Sequence, residues 1–219
     1  MNRDFWQTRW DEGRIGFHQD EINPHLQRHW PSLGVSSGAT VLVPLCGKSR
    51  DMLWLRDQGY TVIGVEIVPR AIEEFFNEND LEATRSKIEG FTLWETKGIK
   101  IFQGDFFDLT KNDVAGIGAV YDRASLIALP PDMRRRYAIH MHAILPPKIN
   151  ILLVTLDYHQ EEMEGPPFAV SENEVTNLYK DYFKIELACS EEILEFNPRF
   201  QEQGLTRLTE KVYLLRALK

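Results

Sequence analysis

Residues Ala39 to Glu66 decide the fold: Ala-Thr-Val-Leu-Val-Pro-Leu-Cys-Gly-Lys-Ser-Arg-Asp-Met-Leu-Trp-Leu-Arg-Asp-Gln-Gly-Tyr-Thr-Val-Ile-Gly-Val-Glu. The β-rich apolar run Thr40 to Val43 predicts a strand, and Gly47 marks a sharp turn after it. Met52, Leu53 and Leu55 carry a short helical pattern that Gly59 stops. Tyr60 to Val65 reads as a second buried strand and ends in Glu66. Strand, tight loop, helix, strand with an acid at the second tip is half of a dinucleotide-type fold. In that fold the loop holds a ligand and the acid binds a ribose. Glu66 follows Gly47 by 19 residues, close to the ~20 that this role requires.

The same βα rhythm runs on in both directions. Strands are expected at 40–44, 60–66, 99–103, 117–122, 149–156, 183–189 and 210–217, and helices at 48–58, 69–79, 132–145 and 172–182. Pro69 suits the first turn of its helix, and Ser171 with Glu174 reads as a capping box. Phe91 to Glu95 pairs naturally with Ile99 to Gln103 across Thr96-Lys97-Gly98. The expected fold is α/β: a doubly wound, mostly parallel, seven-stranded sheet. No helix-length connection precedes the last strand, so it is expected to run antiparallel. Residues 1–38 stand apart, with three of the five tryptophans and three of the six histidines of the chain. They read as an N-terminal helical cap over the ligand cleft, helical around Phe5, Trp6, Arg9 and Trp10 and again from Leu26 to Trp30. The whole is expected to be a single domain over 1–219, with 1–38 as cap and 39–219 as core.

Composition narrows the ligand. Net charge is −8 with a pI near 5.3, and Arg134-Arg135-Arg136 is the one basic run. Counterion release along a nucleic acid requires a basic stripe, so neither nucleic acid nor an anionic membrane is an expected partner. No run reaches the ~18 apolar residues of a span, and Met1 to Trp6 has no apolar signal core. Cys46 and Cys189 are too few for a disulfide framework, which gives a reduced, cytoplasmic location as the expectation. A monomer is expected, because no heptad or interface stripe is evident.

Gly47-Lys48-Ser49 looks like the end of a P-loop, but Leu42 stands where that motif has a glycine. Gly47 is also the only glycine from Ala39 to Gln58, whereas pyrophosphate demands close backbone approach at several glycines. A one-glycine loop fits a nucleoside without phosphates and points from NAD towards S-adenosylmethionine. The alternative is a plain strand–helix turn. Glu66 is placed to accept from both ribose hydroxyls, since carboxyl ends of parallel strands face the ligand crevice; the alternative is a solvated acid at a strand end. Asp105, after the third strand, is placed to accept from an adenine amino group, with Phe106 on the ring face or in the core. Asp122 and Arg123 are charges beside an apolar strand, costly unless paired or functional. Arg123 suits an anionic substrate; the alternative is an ion pair with Asp122 or Asp105. Gly165-Pro166-Pro167-Phe168 is a stiff turn that either simply reverses the chain or sets Phe168 over a cleft. His25 and His29 have zinc-pair spacing without an evident third ligand, so no metal is expected. Cys46 reads as a packing residue rather than a nucleophile.

Together these segments resemble the bacterial thiopurine S-methyltransferase family over nearly the whole chain. The resemblance rests on Phe5-Trp6 and Trp10, Gly16-Phe17-His18-Gln19, Val43-Pro44-Leu45-Cys46-Gly47-Lys48-Ser49, Gly64-Val65-Glu66, Gly104-Asp105-Phe106-Phe107, Tyr121-Asp122-Arg123-Ala124 and Gly165-Pro166-Pro167-Phe168. It implies a Rossmann-like class I methyltransferase fold with an N-terminal lid. It implies that Trp10, Leu45, Glu66 and Arg123 contact S-adenosylmethionine, with Asp105 and Phe106 at the adenine. Phe17, Arg123 and Arg199 would border the thiopurine, with Arg123 positioning it and no dedicated base. Asn197-Pro198 and Glu164 depart from the family pattern. The acceptor implied is a thiopurine or similar heterocyclic thiol, or a selenium or tellurium compound. The rivals are a small-thiol or halide methyltransferase, an NAD-dependent oxidoreductase and a non-catalytic ligand-binding module.

Overall fold

The computed structural model describes residues 3–218. Met1, Asn2 and Lys219, the outer ends of the expected domain, lie outside the described residues. The strands are β1 (Thr40–Val43), β2 (Thr61–Glu66), β3 (Thr84–Ile88), β4 (Phe91–Thr96), β5 (Ile99–Gln103), β6 (Ile117–Arg123), β7 (Asn150–Asp157), β8 (Phe183–Glu192) and β9 (Thr209–Ala217). The α-helices are α1 (Arg3–Asp11), α2 (Pro24–His29), α3 (Asp51–Asp57), α4 (Pro69–Glu78), α5 (Pro131–Ile144), α6 (Glu172–Tyr179) and α7 (Pro198–Glu202). The strands form one sheet in the order β3-β4-β5-β2-β1-β6-β7-β9-β8.

Side chains alternate across this sheet, and the two sets bury different helices. Val41, Val43, Ala119, Tyr121, Leu152 and Val154 face one way, onto Met52 and Leu55 of α3 and Ile72 and Phe75 of α4. Leu42, Val120, Ile151 and Leu153 face the other way, onto Tyr137 and Met141 of α5 and Val175 of α6. The helices therefore change sides between β1 and β6, where the strand order reverses. That switch point is where a doubly wound sheet opens its crevice.

Among the described residues the sheet has nine strands rather than the expected seven. Phe91 to Thr96 pairs antiparallel with β5 through the anticipated turn, and β3 is added outside it. All five β3 residues are exposed, so no apolar alternation announces them. A polar, charged edge strand of this kind resists pairing with other chains. β9 runs antiparallel to both β7 and β8, as expected. The capping box is half formed. The Ser171 Oγ accepts from the Glu174 N–H, but the Glu174 carboxylate goes to buried Arg134 at 2.6 Å.

Residues 1–38 are expected as one cap, and their described part has two unlike surroundings. Trp10 of α1 packs on Val68 and Ala71 at α4. Leu26 of α2, with Trp30 and Leu33 of the 3₁₀ turn Trp30–Leu33, belongs to the sheet core. Among the described residues, no helix is long and apolar enough to cross a membrane.

Strand alternation also separates Asp122 from its neighbours. Tyr121 and Arg123 face α3, while Asp122 faces α5 and accepts from the Tyr137 hydroxyl at 2.6 Å. Burial pushes the Asp122 carboxyl up to about 6, against the donors from Tyr137 and Ser125. Unfolded, it would titrate near its ordinary 3.8, so the native state binds more protons across that interval. Stability from this group is full below pH ~4 and is lost as pH rises through about 6. Urea midpoints from pH 4 to 7 should therefore show a steeper fall in the wild type than in Asp122→Asn; parallel profiles would refute the assignment.

Candidate active site

The crevice begins where β1 ends. The loop from Pro44 to Ser49 turns through Leu45 at φ 46° and Gly47 at φ 52°. Left-handed backbone costs a branched residue such as leucine energy, and such strain gathers at ligand sites. The loop holds its shape because the Cys46 N–H donates to the Val65 carbonyl at 2.9 Å. Gly64 lies beneath it, where a Cβ would stand 2.7 Å from the Cys46 Sγ.

Glu66 fastens this loop to the next one. One carboxylate oxygen accepts from the Gly47 N–H at 2.9 Å and the other from the Val68 N–H at 2.8 Å. The side chain is buried, and burial raises its pKa against those backbone donors. A carboxylate offers about four acceptor positions. Gly47 and Val68 occupy two, and the Ile67 N–H is also directed at the group, so acceptor capacity remains for a ligand hydroxyl.

Lys48 points away from P-loop chemistry. Its ammonium lies 2.9 Å from Glu74 and 2.6 Å from Glu78, both on α4. A lysine held by two carboxylates is not available to a phosphate. The loop thus presents backbone and apolar surface to the crevice, which fits an uncharged nucleoside end rather than a pyrophosphate.

The cleft formed around this loop opens to solvent at its mouth. Trp10, Phe17, Leu45, Glu66, Asp105, Phe106 and Arg123 all line it. Asp105 is exposed and caps the turn Phe106–Asp108, accepting from the Phe107 N–H at 2.9 Å. Phe106 is both core and cleft wall, buried with its ring 4.8 Å from that of Tyr137. From the N-terminal segment, Trp6 and Trp10 each meet Phe17 edge-on. A Cβ on Gly47 would touch the Trp10 ring at 3.4 Å, so this indole sits directly against the loop.

Arg123 enters the cleft from the end of β6. Its guanidinium donates to the Phe17 carbonyl at 3.4 Å and stands 3.9 Å from Asp51 Oδ2. Both contacts are long for a charge-assisted hydrogen bond, so the guanidinium keeps donors for a ligand. Its neighbouring acid is neither Asp122 nor Asp105, as the sequence reading considered, but Asp51. Asp51 is buried at the start of α3 and also accepts from the Tyr121 hydroxyl and the Asn23 N–H. Tyr121, Arg123 and Asp51 meet because alternate strand residues share a face. In sequence, Asp51 reads only as an acid in a first helical turn.

Arg199 lies outside this cleft. It lines a second cavity whose wall is shared through Phe17, His18, Arg123 and Ile127, with its guanidinium 4.5 Å from the Phe200 ring. His18 borders both cavities; burial and nearby Lys48 push its pKa down, against Asp20. At the Pro-Pro turn the prolines, rather than Phe168, reach the cleft. Both Gly165–Pro166 and Pro166–Pro167 are cis. Phe168 turns back, its N–H donating to the Ile127 carbonyl at 2.7 Å. Tyr137 and Met133, which no motif announces, complete the wall from α5.

The family model for thiopurine S-methyltransferase matches residues 1–218. A thiopurine S-methyltransferase of Nitrosospira multiformis is 53% identical over 215 residues, covering 98% of each chain. One from Pseudomonas fluorescens is 47% identical over 218 residues, covering 100% of each. The solved structure of Burkholderia thailandensis 1,6-didemethyltoxoflavin-N1-methyltransferase, with bound 1,6-didemethyltoxoflavin and S-adenosylhomocysteine, superposes with a TM-score of 0.66 at 19% identity. It covers 99% of this chain and 87% of that one. A SAM-dependent methyltransferase from Anabaena variabilis gives 0.65 at 12% identity, covering 100% and 96%. These two show the shared fold. With full-length matches at about half identity, the chain belongs to the thiopurine S-methyltransferase family and is an S-adenosylmethionine-dependent methyltransferase.

Proposed function

We propose that the cleft binds S-adenosylmethionine between the β1 and β2 tips and methylates the sulfur of a thiopurine or similar heteroaromatic thiol. The carrying observation is Glu66, buried, tied to Gly47 and Val68, and facing a cleft whose nearest lysine is already paired. In this reading Glu66 takes the ribose hydroxyls and Asp105 the adenine amino group. Phe106 packs on the adenine, with Leu45 and Trp10 closing the amino-acid side. Bound there, S-adenosylmethionine supplies a methyl group already activated on a cationic sulfur.

The chain's own task is alignment and exclusion of water. Arg123 holds the acceptor ring in its anionic form, steadied by Asp51 and the Phe17 carbonyl. Phe17, Trp6 and Pro166 wall the acceptor side with apolar surface. Arg199, in the adjoining cavity, receives acceptor groups that reach beyond Arg123. A thiol as acidic as a thiopurine arrives ionised, so no dedicated base is required. Flat aromatic walls favour a planar heterocycle over a small selenium or tellurium oxyanion. The cleft is completed within one chain, so we infer that a monomer suffices, with a small-molecule partner and neither nucleic acid nor membrane. Free thiols at Cys46 and Cys189 are consistent with a reduced, cytoplasmic setting.

Calorimetry should detect S-adenosylhomocysteine and not NADH, and Glu66→Gln should weaken the former roughly tenfold or more. Equal affinity in that variant would remove Glu66 from the site. Removing Arg123, a charged donor worth about 1.5–3 kcal/mol, should lower kcat/KM for a thiopurine roughly 10–100-fold. Wild-type kinetics in Arg123→Ala would exclude the role. Residues 3–20, whose aromatics touch the loop and acceptor wall, should gain hydrogen-exchange protection with S-adenosylhomocysteine; unchanged exchange would mean that they are no lid.

A further inference from the structure

We propose that His25, His29 and Cys189 form a second binding site, specific for a single zinc ion, at the junction of α2 with the β8–β9 edge. A ring nitrogen of each histidine and the Cys189 sulfur lie within 4.8 Å of one another. Two nitrogens and a sulfur on one tetrahedral zinc stand roughly 3.3–3.5 Å apart, given bonds of about 2.0–2.3 Å. Side-chain rotation of about 1 Å therefore closes the set. None of the three residues lines the methyl-transfer cleft or the cavity beside it.

The histidines carry a second, independent sign. Nδ1 of His25 and Nε2 of His29 are buried and lack any hydrogen-bond partner among the described residues. Buried polar atoms are rarely left so, because each costs the desolvation of a group that water would otherwise satisfy. His25 is 3% exposed, and its Nε2 lies 2.9 Å from Glu210 Oε2. A proton held on Nε2 by that carboxylate leaves Nδ1 as a bare lone pair. This carboxylate–histidine arrangement orients metal-binding imidazoles.

The surrounding charge favours a cation. Glu191 and Glu210 are cross-strand partners on β8 and β9, and like charges directly opposite repel. Glu191 lies 3.2 Å from the Cys189 sulfur and 3.9 Å from His25 Nε2, close enough to complete the coordination. Arg28 offsets one of the two acids through its pair with Glu191 at 3.0 Å. Binding would release the Cys189 proton and leave a thiolate on the metal. Two imidazoles and a thiolate suit zinc better than magnesium or calcium, which take oxygen ligands. A metal here would clip α2, early in the chain, to an edge strand 160 residues later.

The full-length protein, stripped by chelator and titrated with Co²⁺, should develop a sulfur-to-cobalt charge-transfer band that Zn²⁺ abolishes. Cys189→Ser and His29→Gln should lose it, and Glu210→Gln should weaken Zn²⁺ affinity roughly 10–100-fold. X-ray absorption of the zinc-loaded wild type, which needs no variant, should show one sulfur at about 2.3 Å and nitrogens near 2.0 Å. No band in the wild type, a band of equal strength in Cys189→Ser, or a zinc shell without sulfur would each overturn the site. None of these outcomes touches the methyl-transfer reading.

Discussion

A buried carboxylate bridging two backbone amides organises the catalytic end of this molecule. Glu66 is desolvated, which disfavours its charge, and it is retained because Gly47 and Val68 each donate to it. Those two amides belong to the turns that leave β1 and β2. The acid therefore fixes the distance between the two strand tips. Gly64 is required two residues earlier so that Cys46 can settle beneath the turn. Loop shape, strand spacing and the position of the free lone pairs follow from one side chain.

Charge around the cleft is allotted so that few groups remain uncommitted. Glu74 and Glu78 take Lys48, and Glu174 takes Arg134, which also donates to the Leu129 and Ala169 carbonyls. The cationic side chains are buried while their acids reach solvent, so these two cations are held by pairing and are not available to a ligand. Arg123 differs: its nearest acid is 3.9 Å away. The one loosely held guanidinium among these faces the acceptor wall. The cleft thus has no unpaired lysine at the loop and a loosely held guanidinium at Arg123.

The legible parts of the sequence were those whose signal is local. β1, β2 and the intervening turn announce themselves through apolar runs broken by a single glycine, and Glu66 through its place at a strand end. The β4–β5 hairpin was legible through Thr96-Lys97-Gly98, where Gly98 takes φ 79°. β3 was not, because all of its residues are exposed and an edge strand has no buried face to pattern. Nor was the burial of α2. Six residues are too few to show helical periodicity, and Leu26 and Trp30 could equally have covered a cleft. Asp51 and Cys189 depend on partners distant in sequence: Asp51 meets Tyr121 across 70 residues. No spacing rule reaches that far.

Strand β6 shows how one element can serve two unrelated purposes. Its odd-numbered tip residues, Tyr121 and Arg123, share Asp51 on the α3 face. Asp122 between them is committed to Tyr137 on the α5 face, and Tyr137 in turn lines the cleft and packs on Phe106. One face of the strand therefore carries Arg123 into the cleft, and the other braces the cleft wall at Phe106. A one-residue slip would exchange the two sets at once. The register between β6 and β7, running unbroken from Ala119 to Arg123, holds both halves of the site in place.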